Sequence, residues 1–339
     1  MNEDKNNQVK NKNSGVTYSI VIPVYNSEKT LSLLHERLIN VMEDIGETFE
    51  IVFVEDAGQD NSWQVLYDLA AKDTRVIAIQ LMHNHGQARA TMCGFGHSLG
   101  EFVITIDDDL QHPPEEIPIL IKTLEKNPNV DVIIGIPHEK KHSLWRNLGS
   151  QFVNLINTYV FKKKYTLKFS GFRIIRRQIV EHIIKQNVPK PAVGSLLLSI
   201  TARMMNAYVR HEPRAYGKSG YTLSKIFALT LSNFLAFSAF PLRFLAITGI
   251  FGVVGSVIVG ILYLARYFMG GIGVPGFTTM VLLLIGIAGF IFFAFGLVGE
   301  YLLRILQSVH FTPQYIVRQK VNTRIRENNR KNVSASSKN

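Results

Sequence analysis

The stretch "TIDDDLQHPPEEI", residues 105–117, closes an apolar run with three consecutive aspartates, Asp107, Asp108 and Asp109. A strand's period of two puts Asp107 and Asp109 on one side and turns Asp108 away. Two carboxylates a few ångströms apart do not both stay ionised cheaply unless a cation neutralises them. Hard oxygen ligands of this kind suit Mg2+ or Mn2+, an ion that binds through one or two carboxylates together with substrate phosphates. The rival reading is a solvated acidic turn capping a helix that begins near Pro113, since acids favour helix N-termini. Two further apolar runs also end in functional groups. "IPVYNSE" sets Tyr25, Asn26 and Glu28 after Pro23, which stops the ladder, and "VEDAGQDNS" carries Glu55, Asp56 and Asp60. The three ends together favour a site over a simple cap.

The runs that carry these groups read as strands: "YSIVIPV", "FEIVFV", "VIAIQL", "FVITI" and "VDVIIGI". Helical patterns separate them, over 28–45, 62–71, 86–98 and 114–126. Such alternation predicts an α/β domain with a parallel sheet and helices on both faces. Ligands of such sheets lie beyond the carboxyl ends of the strands, where the acidic and aromatic groups fall.

The chain has 339 residues and a formal net charge of +11. The basic balance suggests an anionic partner: nucleic acid, anionic lipid or a phosphorylated substrate. Cys93 is the single cysteine, which excludes an intramolecular disulfide and fits a reducing compartment. Residues 1–16 are polar and read as a disordered tail, with no signal peptide in sight. Residues 244–268 carry no charge until Arg266, and residues 277–299 carry none. Each is long enough to cross a bilayer core of about 30 Å as a helix, and a pair of buried core helices is the alternative. The short "MGGIGVPG" between them predicts a tight hairpin with both ends on one side. The Lys- and Arg-rich segment after it puts the tail, and the N-terminal domain with it, in the cytoplasm. Residues 143–165 and 223–244 read as membrane-surface helices or as helices packed on the catalytic domain.

"SIVIPVYNSEKTL", "IVFVEDAGQDNS", "HNHGQARATMCGF" and "ITIDDDLQHPPEEIPIL" resemble the successive signatures of glycosyltransferase family 2, of GT-A fold. The two C-terminal spans resemble the layout of its polyprenyl-phosphate branch. The resemblance runs from about 18 to 317 and implies transfer of one sugar, with inversion, from a nucleotide-sugar to a polyprenyl phosphate. A UDP-sugar donor, an undecaprenyl acceptor, Mg2+ or Mn2+, a bacterial inner-membrane location, both termini cytoplasmic and a homo-oligomer, a tetramer, are the corresponding expectations. So are an organisation into a catalytic domain over 17–222, a juxtamembrane helix over 223–243, a transmembrane pair within 244–300 and a basic tail over 301–339.

The resemblance also assigns roles. Pro23, Tyr25 and Glu28 match the turn against the donor base and ribose. Asp56 matches the acid that accepts the uracil N3–H. Gln87, with Asn84 and Gly86, matches an element near the donor, Gly86 as a backbone support. Asp107 and Asp109 match the outer acids of the DxD motif, which meet the ribose and the metal, and Gln111 matches a further metal-side ligand. "FSGFRIIRR" resembles the family's "GDFRL", with Arg173 on the arginine and Gly171 where the family has an aspartate proposed as base. A lipid phosphate is already largely ionised near neutral pH, so the acceptor needs no base. "HEPRAYGKSGYTLSKI" resembles the acceptor-side segment: Arg214, Ser219, Tyr221 and Lys225 match, while Gly220 replaces the usual lysine and Lys218 stands two residues earlier. A solvated basic juxtamembrane loop is the alternative there.

Three other readings compete. A processive polysaccharide synthase would carry a QxxRW element, and none is present. A membrane-anchored binding protein for nucleotides or anionic lipid would not need the DxD set. Nucleic acid is excluded as a partner because the basic residues gather beside the apolar segments. His83, His85, His97 and His112 lack zinc-ligand spacing, and Cys93 reads as a small core residue on a helix.

Overall fold

The computed structural model describes residues 15–137, 167–186, 192–213 and 314–322, with scattered, mostly helical positions between 247 and 306. Contacts divide the chain into two compact units, Met1–Thr222 with Pro313–Asn339, and Leu223–Thr312.

The first unit holds eight strands: β1 (Tyr18–Val24), β2 (Phe49–Glu55), β3 (Val76–Leu81), β4 (Phe102–Thr105), β5 (Val132–Pro137), β6 (Arg173–Arg176), β7 (Met204–Val209) and β8 (Val317–Val321). They form one sheet in the order β7-β5-β6-β4-β1-β2-β3-β8. Its helices are α1 (Glu28–Ile45), α2 (Ser62–Lys72), α3 (Gln87–His97), α4 (Ile117–Lys126), α5 (Arg177–Lys185) and α6 (Val193–Ile200). The first five strands and first four helices coincide with the sequence reading to within a few residues, α4 being preceded by a 3-10 turn over Pro114–Glu116.

All seven residues of β1 and of β2 are buried, as expected of parallel strands covered on both faces. α1 lays Leu31, Leu34, Leu38 and Met42 on that core at helical spacing, all fully buried. Burial of one leucine side chain contributes roughly 1.5–3 kcal/mol, so this stripe fixes the helix firmly.

The sheet is mainly parallel, not wholly so. β6 runs antiparallel between β4 and β5, and β8 runs antiparallel along β3. β6 has only two apolar residues, between arginines, so no apolar run marks it in the sequence. β8 is polar and lies in the stretch read as a basic tail. It joins the sheet chiefly through backbone pairing, with Val321 at its end packed against the core.

Pro23 acts as the sequence suggested. Pairing of β1 with β4 ends at Val21↔Thr105, while pairing with β2 continues to Val24↔Glu55. The Val21 carbonyl accepts from the Ile106 N–H on the β4 side, at 3.3 Å. The next β1 residue facing that side is Pro23, which has no N–H to offer. β1 and β4 therefore part there, and a cleft opens above their carboxyl ends.

The two expected spans and the expected surface helices at 143–165 and 223–244 fall wholly or largely outside the described residues. Among the described residues no helix is long and apolar enough to cross a membrane. Most of the side chains described in the second unit are apolar and exposed, Phe251, Ile261, Phe295 and Leu302 by at least 60% each.

Candidate active site

Four strand ends meet above the cleft. β1, β2 and β4 are parallel neighbours, so their carboxyl ends share one edge, and β6 starts there because it runs against β4 with Arg173 opposite Thr105. Positive φ at non-glycine residues recurs on this edge: Asn26 at 53°, Ala57 at 52° and Leu110 at 60°. Each follows a different strand, and such backbone strain clusters where structure is held for function. Leu110 is pinned in this conformation by its buried side chain.

β4 ends at Thr105, so Asp107, Asp108 and Asp109 lie in the turn after it and not on a strand; Asp108 is bonded to the β1 turn, and Asp107 to Gln87. Asp108 Oδ2 accepts from the Tyr25 N–H at 3.0 Å and from the Ser27 hydroxyl at 2.5 Å, so it ties the β1 turn to the β4 turn. Burial pushes its pKa up to about 6 against those two bonds. Tyr25 itself is 48% exposed. Glu28 opens α1, where Asp60 accepts from its N–H at 2.9 Å. Asp60 and Glu55 are local supports of the turn: Glu55 is buried and accepts from Gly58.

Asp107 and Arg173 form the centre. Burial, then the charges of Asp109 and Asp108, push the Asp107 carboxyl up to about 6, with Arg173 and the Gln87 amide opposing. Gln87 Nε2 donates to Asp107 Oδ1 at 2.7 Å. Arg173 is 9% exposed, and burial lowers its pKa to about 10, so it stays cationic at neutral pH. Its Nε and Nη1 have no hydrogen-bond partner among the described residues. A buried guanidinium with two unmet donors beside a carboxylate is ready for an anionic or oxygen-rich ligand.

Gly171 explains its own departure from the family pattern. A Cβ there would lie 2.6 Å from both Asp107 oxygens. The room that a side chain would take is filled by the Asp107 carboxylate, so an aspartate does not fit without displacing it.

Asp109 accepts from the Gln111 N–H at 3.1 Å, and the Gln111 carbonyl accepts from the Glu212 N–H at 2.9 Å. Among the described residues no three His, Cys, Asp or Glu side chains converge as a complete metal cage. Two carboxylates close enough for their charges to interact are hard oxygen ligands of the kind a divalent ion takes alongside a diphosphate, so the donor set fits Mg2+ or Mn2+.

Asp56 is almost fully buried. Its two oxygens accept from the N–H groups of His85 and Gly86, at 2.7 Å each. Burial raises its pKa and those bonds pull it back only in part. Each carboxylate oxygen retains a second lone pair for a ligand. Gly86 sits at φ 88°, ψ 152°, which suits glycine, and its backbone supports Asp56 as the sequence suggested.

A pair that sequence spacing did not reveal also lines the site. The ring of His112 lies 4.9 Å from that of His211 and stacks on Phe172 at 5.3 Å. Burial, then the neighbouring His211, push its pKa down to about 4, so it is neutral. Arg210 binds Glu116 through its N–H at 2.9 Å and its guanidinium at 2.6 Å. These contacts hold residues 210–212 beside the DxD turn. Arg214, Lys218, Ser219, Tyr221 and Lys225 lie outside the described residues. Cys93 is buried on α3, which pushes its thiol up to about 12.

The sequence profile of glycosyl transferase family 2 matches residues 19–184. The undecaprenyl-phosphate 4-deoxy-4-formamido-L-arabinose transferase of Proteus mirabilis (strain HI4320) is 33% identical over 89% of this chain and 93% of its own. The enzyme of the same name from Yersinia enterocolitica is 32% identical over 92% and 95%. Among solved structures, glucosyl-3-phosphoglycerate synthase from Mycobacterium tuberculosis superposes on 66% of this chain and 79% of its own, at a TM-score of 0.49 and 14% identity. With likeness to such transferases over nearly its whole length, the chain belongs to glycosyl transferase family 2 and is a glycosyltransferase.

Proposed function

We propose that the enzyme transfers a single sugar from a nucleotide-sugar, a UDP-sugar first among them, to undecaprenyl phosphate on the cytoplasmic face of a bacterial inner membrane. The product would serve modification of a cell-envelope glycan or lipid. The observation that carries this reading is the likeness to undecaprenyl-phosphate sugar transferases, which continues through the apolar C-terminal segment and well beyond the family domain.

In this reading Tyr25, Glu28 and Asp56 hold the nucleoside, and Gln87 orients Asp107. Asp107 and Asp109, with Gln111 beside them, hold Mg2+ or Mn2+. The bound ion would neutralise charge developing on the departing diphosphate. Arg173 supplies a fixed cation to the same region without reorganising. The lipid phosphate oxygen attacks the anomeric carbon from the face opposite the diphosphate. The bond from that carbon to the diphosphate oxygen breaks, its electron pair leaves with the nucleoside diphosphate, and configuration inverts. No proton has to move, because the attacking phosphate is already an anion. Gly171 in place of an aspartate is compatible with a site that needs no base. The segment from Arg214 to Lys225 follows Glu212, whose N–H donates to the Gln111 carbonyl, and would neutralise the lipid phosphate.

Exposed apolar side chains in 223–312 support burial in a bilayer. Both flanks of that segment belong to the first unit, so any crossings are even in number, as in a hairpin. The decisive experiment incubates the purified chain with undecaprenyl phosphate, Mg2+ or Mn2+ and a panel of nucleotide-sugars, and identifies the lipid product by mass. A lipid carrying one sugar is expected. Sugar polymer, or no lipid product from any donor, would overturn the reading.

A further inference from the structure

The strand β8 lies after the apolar segment in sequence, yet its contacts run to the donor side of the cleft. Backbone pairing sets Val321 opposite Ala78, Lys320 opposite Ile79 and Gln319 opposite Gln80, and then a bulge shifts the register so that Val317 meets Leu81. The shift lets the start of the segment overrun the end of β3 and reach the loop over 82–86. There the Met82 N–H donates to the Ile316 carbonyl at 2.8 Å. The Ile316 N–H donates to His85 Nε2 at 3.3 Å, and the Arg318 guanidinium to the Met82 carbonyl at 3.3 Å. At the other end Asn322, at φ 63°, donates from Nδ2 to the carbonyls of Asp73 and Val76 at 3.1 and 3.0 Å. The strand is thus clipped at both ends.

The loop it grips is the one that holds two site acids. His85 and Gly86 donate their N–H groups to the two oxygens of Asp56, and Gln87 donates to Asp107. His85 is the joint: its ring accepts from Ile316 while its backbone donates to Asp56. For the ring nitrogen to accept, the imidazole must be neutral, and burial with His83 and Arg89 nearby favours that form. Covering the edge of β3 would by itself need only the ladder from Val317 to Val321. The contacts of Ile316 go beyond that need and end on the loop.

We infer that Ile316–Asn322 is a positioning element for nucleotide binding, which sets the 82–87 loop through Ile316 and His85 and so presents Asp56 and Gln87 to the donor. This inference rests on the donor assignment above. Because the strand follows the segment 223–312, the donor loop becomes sensitive to how that segment is anchored. Coupling of this kind is reciprocal: if the docked strand favours nucleotide, nucleotide favours the docked strand by the same factor.

The test uses the full chain in nanodiscs, with UDP and Mg2+ as the probe. Ile316→Pro removes the N–H given to His85 and leaves the carbonyl that accepts from Met82. His85→Phe removes the same bond from the other side and keeps the backbone N–H on Asp56. Gln319→Ala is the control, since it releases only the Gln80 side chain, bonded at 2.9 Å. Calorimetry should show UDP binding weakened about fivefold or more in the first two variants and within about twofold of wild type in the third. Hydrogen exchange of 316–322 should slow when wild-type protein is saturated with UDP. Wild-type UDP affinity in both Ile316→Pro and His85→Phe, with exchange of the strand indifferent to UDP, would overturn the inference while leaving the donor assignment standing. Failure of the wild-type chain to bind UDP would overturn the donor assignment and the positioning role with it.

Discussion

At the scale of single residues, the proposed mechanism rests on Asp107 and Asp109. Asp109→Asn should lower transfer at least about a hundredfold, because a metal stabilises several kcal/mol of charge on the leaving diphosphate. Folding should persist, since the side chain lies outside the core. Near-wild-type turnover of this variant in EDTA would remove the metal from the mechanism. The raised pKa of Asp107 makes a second prediction, for metal-free protein. Its carboxyl titrates near 6 when folded and near ~3.9 when unfolded, so between those values the native state binds more protons. Stability from this group is therefore present below about pH 4 and is lost as pH rises to about 6. Other groups titrate in the same range, His112 among them, so the informative quantity is a difference. Asp107→Asn should gain stability relative to wild type from pH 4 to 6.5, on the order of 1–3 kcal/mol. Paired denaturant titrations in EDTA measure it, and a difference that is flat with pH would refute it.

At the scale of elements, the antiparallel contact of β4 with β6 decides where Asp107 stands. Thr105 Oγ1 donates to the Gly171 carbonyl at 2.5 Å, which holds the chain before β6 against the end of β4. Only a residue without a side chain leaves Asp107 its place. Gly171→Ala should force the carboxylate to rotate off Gln87 and reduce turnover about tenfold or more, because misplacing a site group costs rate steeply. What must move is a carboxylate at a side-chain end and not backbone, so the melting temperature should change little. Full activity in this variant would mean that the Asp107–Gln87 contact is dispensable. The same strand contact buries Arg173, whose unmet donors make sense only if something else in the working enzyme receives them.

The whole molecule links a cleft to an apolar segment. The chain leaves the cleft at Glu212, beside Gln111, runs through 223–312 and rejoins the first unit's sheet as β8. If 223–312 lies in a bilayer, as proposed, the lipid phosphate would meet the basic residues that precede this segment in sequence, Arg214 among them. Arg214→Ala should raise the requirement for undecaprenyl phosphate and leave UDP affinity near normal. Arg214→Lys should rescue only in part, because lysine lacks the planar two-donor fork of arginine. Transfer rate against lipid concentration at saturating donor, with UDP binding on the same preparation, measures both. Lost UDP binding with unchanged lipid dependence would assign Arg214 to the donor diphosphate instead.

The sequence by itself determined β1 to β5 and α1 to α4, because each strand lies in an apolar run and each helix shows its period locally, and the acids at the strand ends follow from the parallel order. It determined that Pro23 ends a ladder, since that depends only on strand geometry, whereas the environment of Asp108 is set by a turn and its bonds to Tyr25 and Ser27. The tertiary structure decided what depends on partners distant in the chain. β6 is four residues long, and only pairing with β4 and β5 makes it a strand and buries Arg173. His112 meets His211 because β7 returns beside the DxD turn, a contact with no trace in local spacing. β8 is polar and exposed on its own, and the open edge of β3 turns it into a strand that reaches the donor loop. Gly171 read as a missing base in the sequence. Its physical cause is the Asp107 carboxylate 2.6 Å from where a Cβ would stand, a packing fact that only folding creates.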